Sequence, residues 1–139
     1  MAQSSTHIFL LSLISIASLV AVSDGWLDRY THIYILIKNG LDAGTPLTIH
    51  CKSRDDDLGV HVIKYVEEFK FQFQYSILQN TLFFCVFTWD SKLYLFDIYV
   101  QNRDLNICSP DCKWSITRDH PCRFNFNTQK YTFCGYKYH

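Results

Sequence analysis

Residues 68–75 read EFKFQFQY, and this alternation of charged or amide side chains with aromatic ones decides the fold class. Phe69, Phe71, Phe73 and Tyr75 occupy every second position. An extended chain therefore places all four rings on one face and the polar side chains on the other. The segment predicts a β-strand with one buried face and one face in water.

The rest of the chain continues this pattern. Short β-branched or aromatic runs alternate with turn-forming residues, and no segment after Trp26 has a sustained 3.6-residue apolar repeat. The order predicts an all-β fold, an antiparallel β-sandwich of about eight strands, with a closed barrel as the alternative. The predicted strand segments are residues 30–39, 45–53, 59–65, 68–75, 81–89, 92–100, 112–117, 123–127 and 130–136.

Residues 81–89 (TLFFCVFTW) are apolar at both odd and even positions, so both faces of an extended chain would be apolar. This predicts a strand in the middle of the core. Only Asp90 and Ser91 separate them from residues 92–100, a spacing typical of a two-residue hairpin. We expect Trp89 and Trp114 to pack in the core or against this hairpin, because large aromatic side chains gain most from burial.

The N-terminus predicts export. Residues 8–22 carry no charged side chain. The length of this segment is typical of the apolar region of a secretory signal and is shorter than the ~20 residues of a membrane span. Ala21 and Ser23 predict cleavage before Asp24, so residues 1–23 are expected to be a signal peptide and residues 24–139 one secreted domain without membrane insertion. The alternative is a buried N-terminal helix or a membrane anchor, but no basic stop-transfer cluster follows Ser23.

Composition excludes further classes. The 13 lysines and arginines balance the 13 aspartates and glutamates, and this neutrality offers no electrostatic grip on a phosphate backbone. We expect no nucleic-acid partner. A hydrophobic content of 48% indicates a globular domain rather than a disordered chain. Composition does not define the oligomeric state.

Six cysteines follow the predicted signal peptide, and an oxidising export route converts an even number of thiols into bridges. We expect three disulfides, with all 15 pairings of six cysteines open. A zinc site is the alternative, because Cys108, Cys112, His120 and Cys122 have loosely ligand-like spacing; oxidation of the thiols disfavours it. The six cysteines are Cys51, Cys85, Cys108, Cys112, Cys122 and Cys134.

His50 and His61 lie near a run of carboxylates, and two imidazoles of this kind could act as acid and base on an ester or phosphodiester. A small secreted hydrolase is therefore an alternative function. No Gly-rich phosphate loop, G-x-S-x-G elbow or H-E-x-x-H helix supports it. We predict no catalytic residue, no cofactor and no metal ligand, and hence no enzyme.

Asp55, Asp56 and Asp57 form an acidic run before Leu58 and Gly59. An EF-hand alternates its ligands, has Gly at its sixth position and ends in Glu, and this run does none of these. Aspartate side chains accept hydrogen bonds from amides one or two residues later. We predict a structural turn here, with cation binding as the alternative.

Five blocks of the sequence resemble the plant self-incompatibility S-proteins, which include the poppy stigma S-proteins and their homologues. The most specific parts are Cys51-Lys52-Ser53 with residues 55–59, and the strand Phe96-Asp97-Ile98-Tyr99. The resemblance covers nearly all of the chain after the predicted signal peptide. The blocks are THIYILIKNGL (31–41), LTIHCKSRDDDLGVH (47–61), TLFFCVFTW (81–89), YLFDIY (94–99) and CKWSITRDHPCRF (112–124).

The resemblance implies a small secreted β-sandwich with disulfides that acts as an extracellular ligand of the stigma. In poppy, a pollen plasma-membrane receptor recognises such a protein, which starts calcium signalling and arrests self-pollen. A homologue serving development or defence is the alternative. The family pattern includes Cys51, Cys85, Cys112 and Cys122, and the resemblance implies pairing Cys51 with Cys122 and Cys85 with Cys112.

If the chain is such a ligand, the side chains that distinguish one allele from another are expected to lie in loops, because loops tolerate sequence change while a strand core does not. The predicted loops are residues 41–46, 54–58, 76–80, 90–92 and 101–111. The candidate receptor contacts are Arg54, Asp55, Asp56, Asp57, Gln101, Asn102, Arg103, Asp104 and Asn106.

Overall fold

The computed structural model describes residues 32–139. The predicted signal peptide, its cleavage site and Trp26 lie outside the described residues. Within them the chain forms nine strands and one short helix, α1 (Gln101–Asp104). The strands are β1 (His32–Asn39), β2 (Leu47–Lys52), β3 (Asp57–Ile63), β4 (Glu68–Gln74), β5 (Leu82–Trp89), β6 (Lys92–Val100), β7 (Asp111–Ile116), β8 (Pro121–Asn125) and β9 (Lys130–Phe133).

The strands form two sheets, one of five strands in the order β4-β1-β7-β8-β9 and one of four in the order β3-β2-β5-β6. Their inner faces share one core. Phe73 of β4 packs 4.6 Å from Phe83 of β5, and Phe96 of β6 packs 5.1 Å from Trp114 of β7, both measured between ring centres. These contacts join the two sheets face to face, so the predicted β-sandwich is confirmed.

One pair of strands departs from the antiparallel expectation. β1 and β7 run parallel, with Tyr34 opposite Asp111 and Asn39 opposite Ile116. β1 alternates buried and less buried residues along its length, and β7 does so up to Trp114, after which Ser115 and Ile116 are both buried. Alternation determines which side chains share a face but not the direction of a neighbouring strand. The connection between these two strands passes through five other strands, which is long enough for the crossover that a parallel pair requires.

The hairpin predicted between β5 and β6 is confirmed. Asp90 and Ser91 both have positive φ, 50° and 60°, as a two-residue turn of the primed type requires. Trp89 stacks on Tyr94 across the hairpin with ring centres 3.6 Å apart. The other predicted tryptophan, Trp114, is fully buried in the core.

β5 is apolar at both its odd and its even positions, but it is not covered by the core on both faces as the sequence predicts. Its side chains at one parity, from Phe83 to Trp89, are buried between the sheets. Phe84 and Val86 lie at the other parity and are half-buried on the outer face of the four-stranded sheet. The strand is therefore central within its sheet, but only one of its faces lies in the core.

The cysteines form three bridges, but with different pairing from that implied by the resemblance. Cys51 and Cys85 are opposite each other on neighbouring antiparallel strands, and their Cα atoms are 4.0 Å apart. Cys112 and Cys122 lie in the other sheet and each is bonded to a different cysteine, so the pairs Cys51–Cys122 and Cys85–Cys112 are wrong. The bridges are Cys51–Cys85, Cys108–Cys112 and Cys122–Cys134.

Asn39 is a fully buried polar residue at the end of β1 that joins three segments. Its side-chain nitrogen donates to the carbonyl oxygens of Thr45 (2.9 Å) and Ile63 (3.1 Å), and its side-chain oxygen accepts from the Leu41 amide (3.0 Å). Its backbone also exchanges hydrogen bonds with Val66 and Glu67 just before β4. The side chain and backbone of this one asparagine therefore hold both the β1–β2 and the β3–β4 connection.

Replacing Asn39 by alanine is expected to lower the free energy of unfolding by about 3 kcal/mol, because two buried carbonyls and one amide lose their partner. Urea unfolding followed by tryptophan fluorescence measures this change. The matched control is Asn125→Ala, which removes an asparagine oxygen that accepts from Asn127 in an exposed turn. Equal losses for the two variants would contradict the role given to Asn39.

The disulfide pairing predicts the result of peptide mapping without reduction. Proteolysis of the unreduced protein should release one linked pair that contains Cys51 and Cys85, and a second that contains Cys122 and Cys134. Mass spectrometry before and after reduction identifies both. A peptide that links Cys51 to Cys122 would contradict the register of β2 against β5.

Candidate recognition surface

The two histidines of the alternative hydrolase do not form an acid–base pair. In the pairing of β2 with β3, His61 is opposite the inward-facing Ile49, and His50 is opposite Val60 on the outer face. His61 stacks on Phe69 with ring centres 4.3 Å apart, and its Nε2 lies 2.8 Å from the Leu58 oxygen. The two rings lie on opposite faces of the sheet, so they cannot act together on one substrate.

The turn predicted for the acidic run is confirmed. Ser53 donates its amide to the Asp56 oxygen (2.8 Å), and its hydroxyl accepts from the Asp56 amide (3.1 Å). Asp57 accepts from the Gly59 amide at 2.9 Å, and its Oδ1 lies 2.7 Å from His50 Nε2. The Gly59 hydrogen bond, followed by the one with His50, lowers the pKa of Asp57 below its ordinary value. Gly59 has φ +77°, which suits glycine at this turn.

Three of the receptor contacts predicted in residues 101–111 are corrected by the structure, because Gln101 and Asp104 are buried and the guanidinium of Arg103 is bound to Asp104. The Asp104 carboxylate accepts from the Val100 amide (2.8 Å) and from the Arg103 guanidinium (2.8 and 2.7 Å). Arg103 is half-buried beside an aromatic cluster, 5.4 Å from the Trp114 ring centre. Gln101, Arg103 and Asp104 therefore contact other parts of the protein and hold residues 101–111 in place.

Gln101 holds the neighbouring β4–β5 connection. Its side-chain nitrogen donates to the Ser76 carbonyl (3.0 Å), and its side-chain oxygen accepts from the Thr81 amide (3.0 Å). A backbone bond from Gln101 to the Thr81 oxygen completes the clamp. Both ends of this connection are therefore attached to α1.

Asn102 and Asn106 are exposed, as are Arg54, Asp55, Asp56 and Asp57. These six stay candidate contacts. Arg54, Asp55 and Asp56 line a cleft of about 640 Å³ at one end of the sandwich, together with residues of the β4–β5 connection. We call this the end cleft. Its lining also includes aromatic residues of β4 and β5 and aliphatic or polar residues of the β4–β5 connection; these residues are Phe73, Phe83, Phe84, Leu78, Gln79 and Asn80.

The β4–β5 connection beside the end cleft carries two exposed residues that sequence reasoning missed, and Leu78 lines the cleft itself. Ile77 is 84% exposed and Leu78 is 95% exposed, although both are aliphatic. The Ser76 side chain and carbonyl hold the turn by accepting from the Leu78 and Gln79 amides, each at 3.3 Å. The signal was available as two consecutive aliphatic residues inside a predicted loop.

The opposite end of the sandwich is held by an arginine. Arg118 donates to Asp42 (2.6 Å) and to Asp90 (2.6 Å), and it also reaches the Thr45 hydroxyl (3.2 Å). Hydrogen bonding from Arg118 lowers the pKa of Asp42 below its ordinary value, and the Thr45 hydroxyl bond adds to the shift. Two of the predicted recognition loops, residues 41–46 and 90–92, are thus tied to each other.

The three cysteines of the alternative zinc site, Cys108, Cys112 and Cys122, all form disulfides and therefore have no thiol that could bind zinc. Within residues 32–139 no group of three or more metal-ligating side chains is found. In the same part of the chain, no helix has the length and hydropathy needed to cross a membrane.

Comparison with known proteins confirms the resemblance seen in the sequence. A family profile described as plant self-incompatibility protein S1 matches residues 34–136. S-protein homolog 5 of Arabidopsis thaliana is 48% identical over 99 residues, which are 71% of this chain and 77% of the relative. S-protein homolog 29 of the same plant is 33% identical over 133 residues, 95% of this chain and 96% of the relative.

A solved structure has the same fold, with a TM-score of 0.53, 18% identity and coverage of 78% of this chain and 95% of that one. It is described as a self-incompatibility protein homologue from a widespread family of small, highly stable, secreted plant proteins. The profile match and the curated relatives extend over most of the sandwich. The chain therefore belongs to the plant self-incompatibility protein S1 family.

Proposed function

We propose that this chain is a secreted ligand and that a membrane receptor protein on another cell binds it through the end cleft. Export is supported by the charge-free residues 8–22 and by the description of the structural neighbour as secreted. The three disulfides fit an oxidising compartment. The proposal assigns the chain no catalytic step.

The observation that carries the proposal is the exposure of Ile77 and Leu78 beside the end cleft. Aliphatic side chains in water forgo the free energy of burial, about 1.5 to 3 kcal/mol for each one fully covered. A receptor that covers both side chains recovers that free energy. Binding energy in interfaces concentrates on a few such well-covered residues.

The lining of the end cleft adds charged side chains near these two aliphatic residues. Asp55 and Asp56 are exposed on the β2–β3 turn, and Arg54 lies next to them. An apolar centre within a polar rim is the usual anatomy of a protein–protein contact. We expect the receptor to offer an apolar pocket for Leu78 and cationic groups for the two aspartates.

The scaffold suits recognition because both ends of the β4–β5 connection, which carries Ile77 and Leu78, are hydrogen-bonded to Gln101. Gln101 holds Ser76 and Thr81, so ordering the loop on binding carries a small entropic cost. Asn102 and Asn106 lie on the adjoining segment and can extend the contact. Variation at Ile77 and Leu78 would change the partner without disturbing the core.

The double variant Ile77→Ser/Leu78→Ser is expected to weaken binding to receptor-bearing membranes by about tenfold or more, because two aliphatic anchors are lost. The measurement is displacement of labelled wild-type protein from membranes of the responding cells. The matched control is Val60→Thr/Val62→Thr, which changes two residues of similar character, 61% and 63% exposed, on the outer face of β3. Equal weakening by both variants would contradict the end cleft as the contact.

We further propose that the receiving cell is pollen and that the ligand comes from the stigma, as the resemblance implies. Protein added to pollen tubes that carry a calcium reporter should raise cytosolic calcium and stop growth of self-tubes. The Ile77/Leu78 variant should do neither. A response in vegetative tissue with none in pollen would instead assign the ligand to developmental or defence signalling.

A further inference from the structure

A second concave surface lies on the outer face of the five-stranded sheet. Tyr34 and Leu36 of β1 form its floor, since Ile33, Ile35 and Ile37 point into the core. β4 forms one wall and β7 the other, and the space between them is about 510 Å³. We call this the β1 trough. It shares no lining residue with the end cleft.

Each wall of the β1 trough carries a lysine. Lys70 lies on β4, and its side chain is 68% exposed. Its nearest ion-pair partner is Glu68, at 3.7 Å, and an exposed pair at that distance contributes little free energy. The Lys70 ammonium is therefore available to a carboxylate that enters the trough.

The lysine on the other wall is held in position by aromatic rings. Lys113 Nζ lies 5.0 Å from the centre of the Phe124 ring and 5.5 Å from that of Phe126. In the register of β1 with β7, Lys113 is opposite Leu36. Neighbouring strands are about 4.8 Å apart, so the two lysine-bearing strands flank β1 at roughly 10 Å from each other.

The remaining polar groups of the trough are suited to hydrogen bonds with hydroxyl groups that lie between the carboxylates of a ligand. Asp111 lines the trough opposite Tyr34 and accepts hydrogen bonds, and Gln72 both donates and accepts. Tyr34 is 46% exposed as a residue, and its side chain is aromatic.

We propose that the β1 trough binds an acidic oligosaccharide, a chain of uronate residues. Lys70 and Lys113 bind carboxylates of two sugar residues, Asp111 and Gln72 bind hydroxyl groups, and one sugar ring lies against Tyr34. Lysine binds a carboxylate as a point charge, which tolerates the varied geometry of sugar carboxylates. This site is separate from the proposed receptor contact.

The test uses protein expressed from the full-length sequence and oligogalacturonate of defined length. Titration followed by amide chemical shifts in ¹⁵N-labelled protein should move the signals of β1, β4 and β7. The Lys70→Gln/Lys113→Gln variant should bind about tenfold more weakly, since two charge-assisted contacts are lost. The control Lys64→Gln/Lys92→Gln removes the same charge from exposed positions outside the trough and should bind as the wild type does.

Two further probes separate the possible ligands. Fully methyl-esterified oligogalacturonate has the same sugar rings without charge and should bind at least tenfold more weakly. Polyglutamate has carboxylates without sugar rings, and it should bind less well and be insensitive to Tyr34→Leu. The proposal is overturned if polyglutamate binds as tightly as oligogalacturonate, if both lysine variants lose the same affinity, or if no β1 signal moves at low ionic strength.

Discussion

The ion pair between Arg103 and the fully buried Asp104 is the contact on which the end of the sandwich that carries the end cleft depends. A carboxylate in a protein interior is tolerated only when charged and hydrogen-bonding partners surround it. Asp104 obtains these from Arg103 and the Val100 amide, and its own carbonyl accepts from Ile107 and Cys108. The chain therefore crosses from the four-stranded to the five-stranded sheet in one defined path.

This crossing also determines where the end cleft lies. Arg103 spans the aromatic side chains Phe96, Trp114 and Tyr136, with distances of 5.3 to 5.4 Å to their ring centres. Because Arg103 and Asp104 hold α1 in place, Gln101 is positioned to clamp both ends of the β4–β5 connection. The exposed aliphatic residues of that connection are thus presented by a buried polar network rather than by local turn residues alone.

The two ends of the sandwich differ in the same physical terms. At one end, Asn39 and Arg118 use their side chains to connect loops to each other, which leaves little of those loops free to adapt to a partner. At the other end, the buried groups hold the base of the loops while the tips face water. The two surfaces that we propose as binding sites, the end cleft and the β1 trough, have different chemistry and suit different classes of partner.

The sequence by itself determined the elements that depend on local chemistry. Alternation of Phe69, Phe71 and Phe73 predicted β4, and Asp90 with Ser91 predicted the hairpin, because side-chain period and turn geometry act over a few residues. Only the tertiary structure decided the parallel pairing of β1 with β7 and the bridge between Cys51 and Cys85. A two-residue period specifies a face but not a neighbour, so both the strand order and the cysteine partners were open.

The same limit applied to the recognition surface. Gln101, Arg103 and Asp104 have the composition of a solvated loop, and their burial depends on Val100, Ser76, Thr81 and the aromatic cluster around Trp114. Whether a polar side chain is buried is a question of the partners it finds, and most of these lie many residues away along the chain. Local sequence therefore identified the loops, while the packing of distant strands decided which of their side chains face water.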